Sequence, residues 1–319
     1  MQNTYVCPRF KLNNGNIMPA IGAGCWLGSA GEDEHVTAMV ETALDLGYRH
    51  IDTVGFNSSS GNEESVGRAL KKTSIPRVDI FLTTKLDQKD HSRVLEALDT
   101  SLAKLGVEYV DLYLMHWPMA FNESDRTLQP GESPTFVETW KEMEKLLATG
   151  KAKAIGVSNF SVQTLSVLLA QATVVPAVNQ VELHPCLPQH DLLAFCAERG
   201  ILLTAYTPLG KHKFADDPTI RSIAEAHGPE TTLAQVLLSW GVQRGTAVIP
   251  KSLDPSRLRQ NLRLIELNAS EMDALNSLHK KPGMHRSMCS FHSQTLGGSC
   301  FGWTYKQLGW EMIAGGIHL

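Results

Sequence analysis

No run of apolar residues in this 319-residue chain reaches the roughly 18 that a membrane span requires. No CxxC spacing occurs among the six cysteines, Cys7, Cys25, Cys186, Cys196, Cys289 and Cys300. A structural zinc site is therefore not expected, and free thiols in a reducing compartment are the plain reading. Excess positive charge is lacking too: 29 Lys+Arg against 33 Asp+Glu leave a formal charge of −4, with no electrostatic footprint for nucleic acid. The opening MQNTYVCPRF has no basic stretch followed by an apolar one, so no secretory signal is expected. No low-complexity linker marks a boundary, and residues 1–319 read as one unit. A cytoplasmic protein, monomeric or weakly dimeric, with a small-molecule partner and no metal is the expectation.

What is present is core-forming material, 43% hydrophobic residues with 19% charged. RFKLNNGNIMPAIG reads as a short hairpin turning at Asn14-Gly15, a favoured tight-turn pair. After it the chain keeps a rhythm. Eight short apolar runs, AIGAGCW, YRHIDT, IFLTTK, VDLYLMHW, KAIGVSNF, PAVNQVEL, LLTAYTP and TAVIPKS, alternate with helical stretches such as HSRVLEALDTSLAKLG and TFVETWKEMEKLLATG. Several of these stretches stop on glycine (Gly47, Gly106, Gly150, Gly200). The runs are mostly continuous rather than alternating, as strands covered on both faces are. Eight strand–helix units predict a (β/α)8 barrel, with a doubly wound open sheet as the structural rival. GAGCWLG is not a dinucleotide fingerprint, because Leu27 stands where the third glycine belongs.

Polar residues sit near the C-terminal ends of the runs: Asp52, Lys85, His116, Ser158 with Asn159, Asn179 with Gln180, Tyr206, and Lys251 with Ser252. Taken singly, each has an ordinary explanation: a core histidine, a snorkelling lysine, a turn-capping aspartate. Taken together they converge, because the C-terminal strand ends of a barrel form one face. A lysine beside a carboxylate and a histidine suits proton donation to a carbonyl oxygen through a hydroxyl acid, with a neutral histidine orienting that oxygen.

With these residues in view, GYRHIDT…NEESVGRAL, LYLMHWP, KAIGVSNF, VNQVELHP, AYTPLG and IPKSLDPSRLRQN resemble, in order, the motifs of the aldo-keto reductase family. The resemblance runs from the hairpin to GWTYKQLGW. It implies a (β/α)8 barrel with an N-terminal β-hairpin cap and a long C-terminal loop, NADPH/NADP+ as cofactor, and reduction of aldehydes and ketones or the reverse. It implies that Ser158, Asn159 and Gln180 hold the nicotinamide carboxamide and that Tyr206 stacks on the ring. Thr207, Leu209 and Gly210 would line the pyrophosphate path. Lys251, Ser252 and Arg257 would grip the 2′-phosphate, with Gln260 and Asn261 at the adenine. Two cations and a hydroxyl together suit a phosphomonoester better than a bare ribose.

The family's catalytic tyrosine, expected five residues after the aspartate, is Asn57 here. Asn62-Glu63 follows Asp52 three residues later than the family pattern, and residues 49–108 contain no tyrosine. Asp52, Lys85 and His116 remain. The replacement acid is left among Ser58, Ser59 or Ser60 polarised by Lys85, a protonated His116, and the Lys85 ammonium acting through water. The substrate pocket implied by resemblance comprises Trp26, Phe56, Asn57, Trp117, Met119 and Trp303, suggesting an apolar or aromatic ligand. The insertion ESDRTLQPGESP would form another wall. An NADPH-dependent oxidoreductase with an atypical proton donor is the leading reading. A dehydratase or isomerase on the same scaffold, and an NADPH-binding regulator with little turnover, are the alternatives.

Overall fold

β1 (Arg9–Lys11) and β2 (Ile17–Pro19) pair antiparallel, with Phe10 opposite Met18, around a turn in which Gly15 has φ +90°. This is the hairpin expected from Asn14-Gly15. Its apolar side chains Leu12 and Met18 pack with Phe81, Leu112, Leu114, Ala154, Ala177, Val178 and Ala247, so the hairpin plugs one mouth of a barrel. The structure is a computed structural model that describes residues 8–26, 33–55, 62–211 and 213–318. Phe56, Asn57 and Ser58–Ser60 lie outside the described residues.

Eight parallel strands build that barrel: β3 (Ala23–Gly24), β4 (His50–Asp52), β5 (Phe81–Leu86), β6 (Leu112–Met115), β7 (Ile155–Ser158), β8 (Val178–Glu182), β9 (Leu202–Tyr206) and β10 (Ala247–Val248). They pair in sequence order. A parallel bridge from Ile21 to Val248 joins the last to the first and closes the ring. The closure is tight: a side chain on Gly24 would place its Cβ 2.9 Å from the Ile249 carbonyl oxygen, so the small residue is required there.

The interleaved helices are α1 (Asp33–Asp45), α2 (Glu63–Lys72), α3 (Val94–Leu105), α4 (Phe136–Thr149), α5 (Val162–Leu169), α6 (His190–Ala197), α7 (Pro218–Ala226), α8 (Leu233–Gln243), α9 (Pro255–Asn261) and α10 (Ala269–Asn276). Their boundaries follow local chemistry. Thr135 and Glu138 form a capping box at the start of α4, and Gly106 and Gly150, both left-handed, end α3 and α4. The helices bury one face against the outward-pointing strand residues, giving the main core around Ile51, Leu82, Tyr113, Val157, Leu203 and Trp240.

The barrel interior is layered by alternation along each strand. The lowest layer is apolar. Above it, His50 Nε2 lies 3.1 Å from Thr83 Oγ1. The top layer, at the C-terminal ends, is polar and carries the candidate site. Beyond β10 the chain forms short elements, among them β11 (His292–Ser293), β12 (Ser299–Cys300), β13 (Trp303–Thr304), α11 (Tyr305–Leu308), β14 (Met312–Ile313) and β15 (Ile317–His318). Among the described residues no helix is long and apolar enough to cross a membrane, and no group of three metal-ligating side chains occurs.

Candidate active site

β4 ends on Asp52 and β5 carries Lys85, and strand register brings the two into one layer, Asp52 lying opposite Thr83. Lys85 Nζ donates to Asp52 Oδ1 at 2.6 Å and to the Thr53 carbonyl at 2.9 Å. Both side chains are buried, 6% and 5% exposed, so the ion pair is screened from water. Gln180 Nε2 donates to the other carboxylate oxygen, Asp52 Oδ2, at 2.7 Å. Each Asp52 oxygen therefore has its own donor, which is what a buried carboxylate requires.

The network continues sideways. The Ser158 hydroxyl donates to the Gln180 carbonyl at 2.7 Å. Asn159 Nδ2 donates to the His116 carbonyl at 2.9 Å and to Ser158 Oγ at 3.2 Å. Tyr206 Oη donates to Asn159 Oδ1 at 2.7 Å. Asn159 adopts φ +65°, a conformation that asparagine tolerates and that lets its side chain reach three partners. Asp52, Lys85, Ser158, Asn159, Gln180, Tyr206 and the His116 backbone thus form one connected hydrogen-bonded set.

His116 follows β6, partly buried, and burial together with the nearby Lys85 pushes its imidazole down to about 3. It is neutral at physiological pH, suited to orienting an oxygen and unsuited to supplying a proton. Of the candidate replacement acids, the protonated His116 is therefore disfavoured. Tyr206 is held well above the ordinary phenol range, chiefly by burial, and stays a neutral donor.

Two carboxylates escaped the sequence reading. Glu63 opens α2 directly after Asn62 and is 2% exposed; its Oε1 accepts from Thr84 Oγ1 at 2.6 Å. Burial raises its carboxyl, against the pull of Thr84 and Ser101. Glu182, at the end of β8, is also buried. Burial works against its ionised form, yet hydrogen bonds from His184 (2.9 Å), Ser287 and the Met288 amide (2.6 Å) outweigh it and hold the carboxyl below its usual range. Glu182 thereby fastens the C-terminal segment to the barrel mouth. Its place one alternation beyond Gln180 was the available signal. Asn179, by contrast, points outward and bonds the Phe160 backbone in both directions, so it belongs to packing.

The residues expected at the cofactor fall on one arc. Thr207 and Gly210 have φ +52° and +56°, a turn directly after β9. Lys251, Ser252 and Arg257 flank Asp254, which caps α9 through the Ser256 and Arg257 amides at 2.7 and 3.3 Å. Tyr48 Oη anchors α9 on the Leu258 carbonyl at 3.0 Å. Lys251 is exposed and has no ion pair among the described residues; Arg257 Nε reaches Asp254 only at 4.0 Å. Two exposed cations with so little internal compensation fit a phosphomonoester. Gln260 is half-buried and Asn261 buried on the same helix, and Leu209 packs against the main core.

The expected pocket residues separate. Trp26 is 58% exposed. Trp117 is covered by edge-on contacts from Phe291 (5.1 Å) and Phe301 (4.9 Å). Met119 and Trp303 are fully buried with Cys300, Tyr305 and Leu308, and Trp303 Nε1 donates to the Leu128 carbonyl at 2.7 Å. Both tie the C-terminal segment to the barrel, and Trp303 also lines a pocket together with Leu128, Gln129 and Phe136. The ESDRTLQPGESP insertion is part of the same joint: Thr127 Oγ1 donates to the Phe301 carbonyl at 2.7 Å and Gln307 Nε2 to Gln129 Oε1 at 3.0 Å.

A polar, hydrogen-bonded layer at the C-terminal mouth of a hairpin-plugged (β/α)8 barrel has many counterparts among known proteins. Residues 20–280 match the aldo/keto reductase family. The chain is 44% identical to D-galacturonate reductase of Hypocrea jecorina over 85% of its length and 90% of that protein's. It is 42% identical to glycerol 2-dehydrogenase (NADP(+)) of Saccharomyces cerevisiae over 86% and 92% of the two chains. A Bombyx mori aldo-keto reductase solved in complex with NADP superposes with a TM-score of 0.81 at 32% identity, covering 89% of this chain and 95% of that one. The chain belongs to the aldo/keto reductase family of oxidoreductases.

Proposed function

We propose that the protein is an NADPH-dependent reductase of small carbonyl compounds in which the Lys85 ammonium supplies the proton. The observation that carries this reading is the buried Lys85–Asp52 pair, tied through Gln180 to the Ser158–Asn159–Tyr206 network. When bound, NADPH supplies the hydride; Ser158, Asn159, Gln180 and Tyr206 would hold its nicotinamide end, with Lys251, Ser252 and Arg257 at its 2′-phosphate.

The remaining work falls to this chain's own groups. An ammonium has three N–H donors, and two of those on Lys85 are committed to Asp52 and the Thr53 carbonyl. Among the described residues the third has no partner, which leaves it for a substrate oxygen or a bridging water. Asp52 fixes the direction of the lysine, and the neutral His116 orients the oxygen that becomes the alcohol. Asn57, the residue at the family's tyrosine position, is an amide and is no acid at neutral pH.

The substrate is an apolar or aromatic aldehyde or ketone, a preference supported by Trp26, Trp117, Phe291 and Phe301 around the mouth. D-galacturonate and glycerol, named for two relatives, are polar, so a test panel includes both polar and aromatic carbonyls. The deciding experiment compares NADPH consumption by the wild-type protein and by Lys85→Met. Turnover that survives the substitution unchanged would remove the lysine from the mechanism. Tight NADPH binding without turnover on any carbonyl would move the function to non-redox chemistry or to a cofactor-sensing role.

A further inference from the structure

A second cluster of titratable groups lies away from Lys85 and Asp52, where the β14–β15 hairpin meets the barrel. Four imidazoles succeed one another ring to ring. His190 and His279 have centroids 5.3 Å apart, His279 and His285 5.0 Å, and His285 and His318 4.0 Å with planes only 13° from parallel. They come from four places in the chain: the start of α6, the turn at Leu278–Lys280, the segment after it, and β15.

The first ring is held by two partners. His190 Nε2 donates to the Asn276 carbonyl at 3.1 Å, and its Nδ1 accepts from Arg244 at 3.2 Å. Among the described residues the charged groups that bear on the other three rings are Arg244 just after α8, Lys280 of the turn and the neighbouring imidazoles, all of them positive whenever charged, while the Asn276 backbone contact alone favours a proton on His279. Burial and these neighbours disfavour protonation of His279, His285 and His318 in the stack.

The cluster sits on a chain of contacts that reaches the candidate active site. The His318 amide donates to the His285 carbonyl at 3.0 Å, and the Ser287 amide to the Gly316 carbonyl at 2.8 Å. Ser287 and the Met288 amide hold Glu182 at the barrel mouth. Cys289 Sγ lies 3.7 Å from Thr207 Oγ1, on the turn after β9.

We propose that His279, His285 and His318, packed on His190, form an acid-released clasp: neutral, they hold the β14–β15 hairpin on residues 285–289; protonated, they drive it off and withdraw the backing of the Thr207 turn. The last step rests on the reading of that turn as part of the cofactor site.

The sign comes from the burial of the rings. Burial first, then the neighbouring imidazoles, pushes His285 down to about 4, and His279 and His318 move the same way. In the open hairpin these rings return toward about 6.5. Opening therefore takes up protons between those limits, and acid favours the open form.

Hydrogen exchange on the full chain tests the clasp. Protection in residues 311–318, corrected for intrinsic rates, should fall about tenfold or more from about pH 7.5 to about pH 5 while β5 and β8 stay protected. In the double variant His285→Gln/His318→Gln that pH dependence should vanish. Constant protection in the wild type, dependence retained in the variant, or loss only together with the barrel strands would each overturn the clasp. If the variant does not fold, imidazole NMR signals of the wild type serve instead: two histidines should titrate with the midpoint of hairpin opening, and their absence contradicts it. NADPH affinity over the same range separates the two layers. Weakening in step with the hairpin, beyond that of the double variant, supports the coupling; a lifted hairpin with unchanged affinity overturns it. Failure to bind NADPH at any pH overturns the proposed function and leaves the clasp standing.

Discussion

Gln180 and Lys85 share one carboxylate: the amide donates to Asp52 Oδ2 at 2.7 Å and the ammonium to Oδ1 at 2.6 Å. A residue expected at the cofactor is thus bonded directly to the proposed catalytic pair. Gln180→Leu would leave Asp52 Oδ2 buried without its donor, at a cost of about 1–3 kcal/mol. Chemical denaturation should show that loss, and NADPH affinity and turnover should fall together. A change in affinity alone would mean that the link to Asp52 has no catalytic consequence.

Removing the lysine tests stability and chemistry separately. Lys85→Met leaves Asp52 as an unpaired charge in a buried layer, which costs about 3–5 kcal/mol. Turnover should drop by about 10² to 10⁴, the range of general acid catalysis. The double variant Asp52→Asn/Lys85→Met should recover much of the stability and none of the activity. Recovery of both would show that neither residue takes part in the reaction.

For His116, the low position of its imidazole, about 3, predicts that no histidine-like step at that residue shapes the pH profile between pH 5 and 8. The profile of kcat/KM, compared between wild type and His116→Gln, should differ in height and not in its midpoints. A midpoint near 6.5 that disappears in the variant would restore His116 as the acid.

Much of this architecture was legible in the sequence, and the reasons are specific. The eight apolar runs form β3–β10 because continuous apolar stretches of that length, each succeeded by a capped helical period, have few other uses. Four helices were not among the expected stretches: α7, α9, α10 and α11, each no longer than nine residues and two of them opening on proline. Facing was harder to read. In VNQVE alternation puts Gln180 and Glu182 on one face and Asn179 on the other, but nothing in the sequence says which face is inward; the register of β8 against β7 and β9 decides it. Met119 and Trp303 resemble pocket residues because aromatics and thioethers serve cavities and cores alike; Trp303 does both, bonded to the Leu128 carbonyl and lining the pocket beside it.

Glu182 predicts an acid limit for the joint between barrel and C-terminal segment. Its carboxyl is held below its usual position, so the stability it contributes is present above about pH 4.5 and lost as pH falls through the depressed value. Glu182→Gln keeps the shape but weakens charge-assisted bonds to Ser287 and Met288, each worth about 1.5–3 kcal/mol. Hydrogen exchange at residues 287–289 should rise in the variant at neutral pH. Unchanged exchange would assign the joint to Trp303 and its apolar neighbours instead.

Cofactor choice should respond to the exposed cations beside α9. Lys251→Met with Arg257→Leu should weaken NADPH by about 10- to 100-fold, or about 1.4–2.8 kcal/mol, and leave NADH almost unaffected. Equal weakening of both nucleotides would place the two cations at another part of the cofactor.

The most direct test of a Lys85-driven carbonyl reduction is NADPH consumption, followed by its absorbance, over a panel of aromatic and polar aldehydes and ketones for wild type, Lys85→Met and Asn57→Tyr. Clear turnover by the wild type, lost by about 10² or more in Lys85→Met, is the predicted result. Turnover confined to Asn57→Tyr, with none in the wild type despite NADPH binding, would contradict it.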